Sequence, residues 1–306
     1  MQKVNMLLIT GGSGLLGSEI NIKNALKPSS QELNLLDYCS LRRFIQLNGV
    51  TKIIHCAAKV GGVEANRKKN FTFFHDNLQM NANILKACEE FQLDKSIFIL
   101  STCVFPQENF PYTEEALHQG EPHPTNFGYA YGKRMLEVGS RALYEQYGLR
   151  TMCLIPCNLY GKNDNYNVVD GHVIPGLIHK CFQAQKNYSD FSVWGNGNAL
   201  REFMYVEDLA RIIERIESTV GKLPSKMIIS PGKEHSIREV VQLIAKKFKF
   251  NGNIVFDETM PNGILRKPSD NMIFRNYFPD FEFTDLEKGI NDTINWFTAK
   301  YPQVRL

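Results

Sequence analysis

The sequence lacks several features that would assign it to common protein classes. No apolar run approaches the length of a membrane span, no repeat or low-complexity tract occurs, and the N-terminal apolar run leads into glycines without a signal-peptide cleavage site. Charge of one sign is not in excess, since 35 Lys and Arg stand against 32 Asp and Glu and no long basic stripe is present. We therefore expect a cytoplasmic protein that has neither a membrane nor a nucleic acid as its partner.

Cysteine usage and composition agree with this expectation. The seven cysteines are an odd number and lie mostly in apolar stretches, which is typical of reduced thiols in a cytosolic protein. Asp164 and Asp170 are metal ligands by type, but nothing arranges a full set of ligands around them, so we predict no metal site. With 306 residues, of which 43% are hydrophobic, the chain is long enough for one large domain or two smaller ones.

Apolar, strand-like runs alternate with helix-length segments in the first half of the chain. Continuous apolar strands between amphipathic helices indicate a parallel sheet that is covered on both faces. After about residue 162 the alternation loosens into a smaller mixture of helix and strand signals. The strand-like runs are "MLLIT" (6–10), "KIIHCAA" (52–58), "SIFILS" (96–101) and "TMCLIPCN" (151–158).

Glycines follow the first apolar run directly. In "TGGSGLLG" (10–17), Gly11, Gly14 and Gly17 come after a strand and before a helix-like stretch. This spacing lets the backbone turn tightly and approach a pyrophosphate at a helix N-terminus, although a purely structural turn is the alternative. We predict an α/β fold: a Rossmann-type doubly wound parallel sheet in residues 1–162, to which 201–230 return, and a smaller mixed α/β substrate lobe in 163–306.

The crossover after the glycines is unusually short. Only "SEINIKNALKP" (18–28) is available, which is too little for a full helix and a full second strand. No carboxylate ends a second strand where it would hold a ribose 2′-hydroxyl, whereas Lys27, Ser29 and Ser30 are placed to meet a 2′-phosphate. We therefore expect NADP rather than NAD, on the adenosine side of a trimmed site.

A tyrosine and a lysine stand four residues apart in "YAYGK" (129–133). On a helix, Tyr129 and Lys133 share one face, and a cation beside a phenol lowers its pKa toward the range of general acid–base chemistry. Alone, such a pair is more often a surface pair. Here it follows a glycine-rich turn and a strand that ends in Ser101, whose hydroxyl is placed to share a substrate oxygen.

With these motifs in place, the sequence resembles the extended short-chain dehydrogenase/reductase family. More narrowly, it resembles the GDP-L-fucose synthases of that family, which epimerise and reduce a GDP-linked 4-keto-6-deoxy sugar. Such enzymes are NADP-dependent and homodimeric. The resemblance covers nearly the whole chain and rests on residues 57–66, 101–106, 124–133, 158–165, 170–180, 193–210 and 266–270.

The resemblance implies an unusual pair of catalytic side chains. A 4-keto group acidifies the hydrogens on C3 and C5, and inverting those centres needs a base and an acid on opposite faces of the sugar. Cys103 is implied as the base and His172 as the acid, beside Ser101, Tyr129 and Lys133. The alternatives are a small buried thiol for Cys103 and a helix-start residue for His172.

The resemblance also implies which residues bind the two ligands. Lys180 and Arg201 are implied at the diphosphate, Trp194 near the guanine and Asn262 at the guanine side or the ribose, with ordinary core packing as the alternative for Trp194. Asn158 is implied near the sugar as well. The implied cofactor contacts are Gly11, Ser13, Gly14, Leu15, Leu16, Gly17, Ala57, Ala58, Tyr129, Lys133, Pro156, Asn158, Leu159 and His172.

Two helix-length segments, 77–91 and 133–148, carry more apolar residues than a single core stripe needs. In the family, the corresponding helices form a dimer interface, and the alternative is that they only cover the sheet. Two rival functions stay open: a 4-reductase or C3/C5 epimerase acting on another nucleotide-linked 4-keto sugar, and a non-catalytic dinucleotide sensor. The apolar residues in question are Leu78, Ile84, Leu85, Met135, Leu136 and Leu143.

Overall fold

The computed structural model describes residues 6–107, 110–260 and 263–306. Short 3₁₀ turns at Thr102–Val104, Glu114–His118, Pro124–Asn126 and Val220–Lys222 supplement its strands and helices. In the first half these are β1 (Met6–Thr10), α1 (Leu15–Glu19), β2 (Ala25–Leu26), α2 (Tyr38–Asn48), β3 (Val50–His55), α3 (Val63–Lys68), α4 (Asn70–Phe91), β4 (Ile97–Ile99), α5 (Phe127–Tyr147) and β5 (Met152–Pro156). In the second half they are β6 (Asn158–Tyr160), α6 (Val173–Asn187), β7 (Phe191–Trp194), β8 (Leu200–Tyr205), α7 (Val206–Ile216), β9 (Lys226–Ile229), β10 (Glu234–Ser236), α8 (Ile237–Phe248), β11 (Ile254–Asp257), α9 (Met272–Tyr277) and α10 (Leu286–Lys300).

Six parallel strands form the main sheet, in the order β2-β1-β3-β4-β5-β9. Helices α2, α4 and α5 bury one face of it, and α1, α7 and α9 bury the other. This confirms the predicted doubly wound sheet. The chain runs outward from β1 to β2 and then returns to β3 on the opposite side of β1, so the strand order reverses there. Crevices at such a reversal, beyond the carboxyl ends of the strands, are where ligands bind in sheets of this kind.

The crossover between β1 and β2 is as short as the sequence predicts. Helix α1 has five residues and β2 has two. Strand β2 pairs with β1 only through Leu7 opposite Ala25 and Leu8 opposite Leu26. The adenosine side of the site is therefore built from a minimal strand and the irregular segment that follows it.

The second lobe combines two small sheets with three helices. One sheet has the order β10-β8-β6, the other pairs β11 with β7, and α6, α8 and α10 enclose a separate apolar core. Within 201–230, β8 pairs with the small sheet, whereas α7 and β9 pack on or join the main sheet. The division of the chain at residue 162 stays a prediction. Among the described residues, no helix is both long and apolar enough to cross a bilayer.

Candidate active site

One cleft of about 1290 Å³ lies beyond the carboxyl ends of the central strands and reaches into the second lobe. It brings together the described residues that were predicted to be catalytic, to contact the cofactor or to bind the substrate, but not Lys27 or Ser29. Asn262 lies outside the described residues. The predicted residues that line the cleft are Gly11, Ser13, Gly14, Leu15, Leu16, Gly17, Ala57, Ala58, Ser101, Cys103, Tyr129, Lys133, Pro156, Asn158, Leu159, His172, Lys180, Trp194 and Arg201.

The glycine turn forms the floor of one end of the cleft. Gly11 has φ +66°, a left-handed conformation that favours glycine, and a Cβ on it would lie 2.9 Å from the Ala57 Cα. The Gly14 amide donates to the Gly11 carbonyl at 2.9 Å. A Cβ on Gly17 would lie 2.3 Å from that same carbonyl oxygen. Side chains at Gly11 and Gly17 would collide with the protein's own backbone, so the tight turn requires glycine at these positions.

The residues expected to meet a 2′-phosphate do not all reach the cleft. Ser30 lines it, but the Lys27 ammonium donates to the Ser18 carbonyl at 3.2 Å. The Ser29 amide donates to a carboxylate oxygen of Glu32 at 2.7 Å. Both residues therefore satisfy local partners on the rim, and only Ser30 keeps the predicted position.

Ser101 and Cys103 stand on a tight turn directly after β4. The Cys103 amide donates to the Ser101 hydroxyl at 3.3 Å, and the Val104 amide donates to the Ser101 carbonyl at 3.0 Å. The turn exposes the Ser101 and Cys103 side chains to the cleft, while Thr102 and Val104 are buried.

A buried arginine holds this turn from the neighbouring helix α5. Arg134 is 3% exposed, its Nε donates to the Val104 carbonyl at 2.7 Å, and its Nη1 donates to the Gly120 carbonyl at 2.9 Å. Arg134 was not predicted from the sequence as a site residue. Its only signal was a charge next to Lys133 on a helix that packs against the sheet.

Tyr129 and Lys133 lie on the same face of α5 and are buried beside the turn. The Lys133 ammonium donates to the Ile99 carbonyl at 2.8 Å, and burial lowers its pKa to about 8. Burial raises the pKa of Tyr129, the nearby Cys103 thiol raises it further, and the Ser101 hydroxyl opposes this. The prediction that Lys133 gives Tyr129 a low pKa is therefore wrong for this structure, because burial dominates at the phenol.

His172 precedes α6 and is paired with an aspartate. Its Nδ1 lies 3.2 Å from Oδ1 of Asp164, which is 2% exposed. Burial alone would lower the pKa of His172 and Arg305 acts in the same direction, but the charge and the hydrogen bond of Asp164 outweigh both and raise it. Sequence reasoning considered Asp164 only as a metal ligand. Within residues 6–107, 110–260 and 263–306, no three side chains of the metal-ligating types come together.

Three cations line the far end of the cleft. Burial lowers the pKa of Lys180, Arg201 and Lys267, because removal from water disfavours the charged form of a cation. The Lys180 ammonium lies 4.4 Å from the centroid of the Trp194 ring, which is 36% exposed and is not a core residue. Lys267 was missed as a separate site residue, although it lies in the "RKPSD" segment. The cluster suits a diphosphate beside a flat ring.

Comparisons with known proteins agree with this geometry. The model of the NAD dependent epimerase/dehydratase family matches residues 7–226. The GDP-L-fucose synthase of Dictyostelium discoideum is 39% identical over 98% of this chain and 97% of its own length. The GDP-L-colitose synthase of Yersinia pseudotuberculosis is 34% identical over 95% and 97%. A crystal structure of a GDP-L-fucose synthetase from Naegleria fowleri bound to NADP has a TM-score of 0.92, 37% identity, and coverage of 100% of this chain and 96% of that one. The chain belongs to the NAD dependent epimerase/dehydratase family.

Proposed function

We propose that this protein is an NADP-dependent GDP-L-fucose synthase. It converts GDP-4-keto-6-deoxy-D-mannose to GDP-L-fucose by epimerisation at C3 and C5 and reduction at C4. The observation that carries the proposal is one cleft lined by a dinucleotide turn, by Ser101, Cys103, Tyr129 and His172, and by a cluster of cations. Relatives named as GDP-L-fucose synthases or probable GDP-L-fucose synthases align over almost the full chain.

NADP fits the glycine end of the cleft. Gly11 and Gly17 permit the tight turn, because a Cβ on either residue would collide with the protein's own backbone, and Ser30 lines the cleft after the trimmed strand β2. The solved Naegleria fowleri relative is bound to NADP. When bound, NADPH supplies the hydride for C4. Tyr129 donates the proton to the C4 oxygen, and Lys133 lies one helical turn further along the same face as its cationic neighbour.

Epimerisation requires the thiol and the imidazole to act on the same carbonyl-activated sugar. Cys103 removes a proton from C3 or C5, and the resulting enolate oxygen accepts hydrogen bonds from the Ser101 and Tyr129 hydroxyls. His172 then protonates the carbon from the opposite face. The raised pKa of His172 keeps more of it in the proton-donating form near neutral pH.

The two phosphates of the substrate fit the cations at the far end of the cleft. Lys180 and Arg201 are assigned to the diphosphate, and the partly exposed Trp194, which the Lys180 ammonium contacts, is assigned to the guanine. Asn158, whose side-chain amide donates to the Glu202 carbonyl at 2.9 Å, also lines the cleft and is assigned to the sugar.

The proposal is tested by turnover in heavy water with NADPH. We expect the wild type to consume NADPH and to place deuterium at both C3 and C5 of the product. Cys103→Ser should slow this incorporation by about 10²-fold or more, because it replaces a thiol base with a hydroxyl. Cys39→Ser is the matched control, since Cys39 is an exposed thiol that does not line this cleft. Normal incorporation in Cys103→Ser would show that the base is another group.

A second candidate function is the same chemistry on a different GDP-linked 4-keto sugar. It is favoured by the 34% identity to a GDP-L-colitose synthase over nearly the full chain. Comparison of kcat/KM for NADPH and NADH with a panel of GDP-, UDP- and dTDP-linked 4-keto sugars separates the candidates. Preference for a sugar other than GDP-4-keto-6-deoxy-D-mannose would reject the first proposal.

We also propose a homodimer that works in the cytoplasm. Helices α4 and α5 pack on each other, and of their excess apolar residues Ile84, Leu136 and Leu143 are buried, whereas Leu78, Leu85 and Met135 are only half-buried. Those half-buried residues leave apolar surface that a second copy of the chain would cover. Sedimentation at micromolar concentration measures whether the protein is a dimer. The cytoplasm is supported by seven cysteines that are all free thiols.

A further inference from the structure

Asp164 is a buried carboxylate that is only half satisfied. Its Oδ1 accepts from the Asn165 amide at 2.7 Å and lies 3.2 Å from Nδ1 of His172. Its Oδ2 has no hydrogen-bond partner within the described part of the chain. Burying an incompletely bonded carboxylate is unfavourable, and its aliphatic or amide analogues would not incur the same desolvation. A carboxylate at this position therefore calls for a role beyond packing.

The loop between β6 and α6 fixes Asp164 and His172 relative to each other. The Tyr166 hydroxyl donates to the Gly161 carbonyl at 3.0 Å, and the Asn167 amide donates to the Asn165 side chain at 3.0 Å. At the other end, the Gly171 amide donates to the Asn167 carbonyl at 2.9 Å. A Cβ on Gly171 would lie 2.4 Å from that carbonyl oxygen, so the Gly171 backbone packs closely against Asn167 in the middle of the loop.

We propose that Asp164 is a positioning residue that holds the His172 ring through Nδ1 and so directs Nε2 toward the substrate carbon. The inference deepens the proposed function and rests on it for the identity of the substrate. His172 could otherwise rotate or carry its neutral proton on Nε2, because its position before α6 is not secured by a side-chain capping bond. An aspartate that accepts from Nδ1–H selects one ring orientation and one tautomer.

The proton transfer is balanced without any further reactant. The Nε2–H bond of the imidazolium breaks, its electron pair stays on nitrogen, and the enolate carbon uses its own electron pair to form the new C–H bond. The ring that remains is neutral and carries its proton on Nδ1, where Asp164 accepts it. Solvent then protonates Nε2 again for the next epimerisation.

Two charged groups face the imidazole, and they act in opposite directions. Asp164 raises the pKa of His172 by its charge and its hydrogen bond, and Arg305 lowers it. Arg305 comes from the C-terminal segment, which is attached by the Tyr166 amide that donates to the Arg305 carbonyl at 2.8 Å. Loss of the Asp164 charge leaves burial and Arg305 to act together, so the pKa of His172 falls and less of the acid is protonated at neutral pH.

The test compares Asp164→Asn with Asp170→Asn in the full chain. Asp170→Asn is the matched control because it removes the same charge from the same loop. Asp170 pairs with Lys69 at 3.3 Å and does not line the cleft. We expect deuterium incorporation at C3 and C5 to fall about 10- to 100-fold in Asp164→Asn, which is less than the whole contribution of a general acid, and to stay within about twofold in Asp170→Asn. Deuterium incorporation falls as the pH rises and His172 loses its proton, and this fall should begin at a lower pH in Asp164→Asn than in the wild type.

A second measurement does not depend on turnover. In protein labelled with ¹⁵N-histidine, the His172 signals, assigned by their loss in His172→Gln, report both the pKa and the tautomer. We expect the wild type to titrate above the ordinary value of about 6.5 with the neutral proton on Nδ1, and Asp164→Asn to titrate lower with the proton on Nε2.

The outcomes separate the two proposals. If the wild type turns over no GDP-linked 4-keto sugar, the proposed function fails, and the titration still decides whether Asp164 sets the His172 tautomer. If the neutral His172 ring of the wild type carries its proton on Nε2, the inference is overturned, even if Asp164→Asn does not fold. An equal loss of incorporation in Asp170→Asn also overturns it, because the effect would then follow loop charge rather than the contact with Nδ1.

Discussion

Replacement of Lys133 by methionine should change the pH dependence of stability in a defined direction. Lys133 is 2% exposed, and its ammonium donates to the Ile99 carbonyl at 2.8 Å. Burial lowers its pKa from 10.5 to about 8 in the folded protein. Methionine keeps a similar length and removes the buried charge, so the two proteins differ mainly in that titration.

The magnitude follows from proton linkage. The unfolded chain binds more protons than the folded one between the two pKa values, so the wild type gains stability relative to Lys133→Met as the pH rises through that interval. A pKa that falls from 10.5 to about 8 disfavours the folded wild type by about 3 kcal/mol at neutral pH. About 1.4 kcal/mol of that penalty is left near pH 9.5, so the difference between the two proteins should change by about 2 kcal/mol in favour of the wild type.

The assay is urea unfolding of both proteins without NADP, at equal protein concentration, at about pH 7 and about pH 9.5. Far-ultraviolet circular dichroism and tryptophan fluorescence should report the same midpoints. The expected result is a wild type that becomes more stable relative to Lys133→Met at the higher pH. A difference that stays constant, or one that moves in favour of methionine, would refute the reasoning that burial dominates at this lysine.

Two further predictions concern the supports of the site. Arg134→Met should lower the free energy of unfolding by about 2–4 kcal/mol, because the Val104 and Gly120 carbonyls lose their charged donor; urea unfolding measures it, and a change below about 0.5 kcal/mol would contradict the assigned role. Lys180→Met should raise KM for the GDP-linked sugar about 10-fold with a smaller change in kcat, because a diphosphate loses one cation. KM for NADPH is the internal control for Lys180→Met, and an equal rise in both KM values would count against a specific diphosphate contact.

Local spacing explains why much of the fold and part of the site could be predicted. The apolar run 6–10 coincides with β1. The glycines of the turn lie within a few residues of one another, and Tyr129 and Lys133 are one helical turn apart on α5. Their geometry is set by neighbours in the chain, so the sequence pattern carries it. The short crossover followed from counting residues between Gly17 and the next apolar run.

Contacts that depend on how a loop folds, or on which distant segments meet, could not be predicted in the same way. Asp164 and His172 meet because a hydrogen-bonded loop brings them together, and nothing in their eight-residue separation signals a pair. Arg201 and Lys267 approach each other from β8 and a later loop. The pKa of Tyr129 was mispredicted for a related reason, since it depends on how deeply α5 is buried rather than on which residue stands four positions away.

The two-residue strand β2 also has a consequence for solubility. It forms one edge of the six-stranded sheet, and edges with unpaired amides and carbonyls are where strands of other molecules add and aggregation begins. So brief an edge offers an incoming strand very few sites for backbone pairing. The same trimming that shortens the adenosine side of the cleft therefore also discourages intermolecular strand addition during folding.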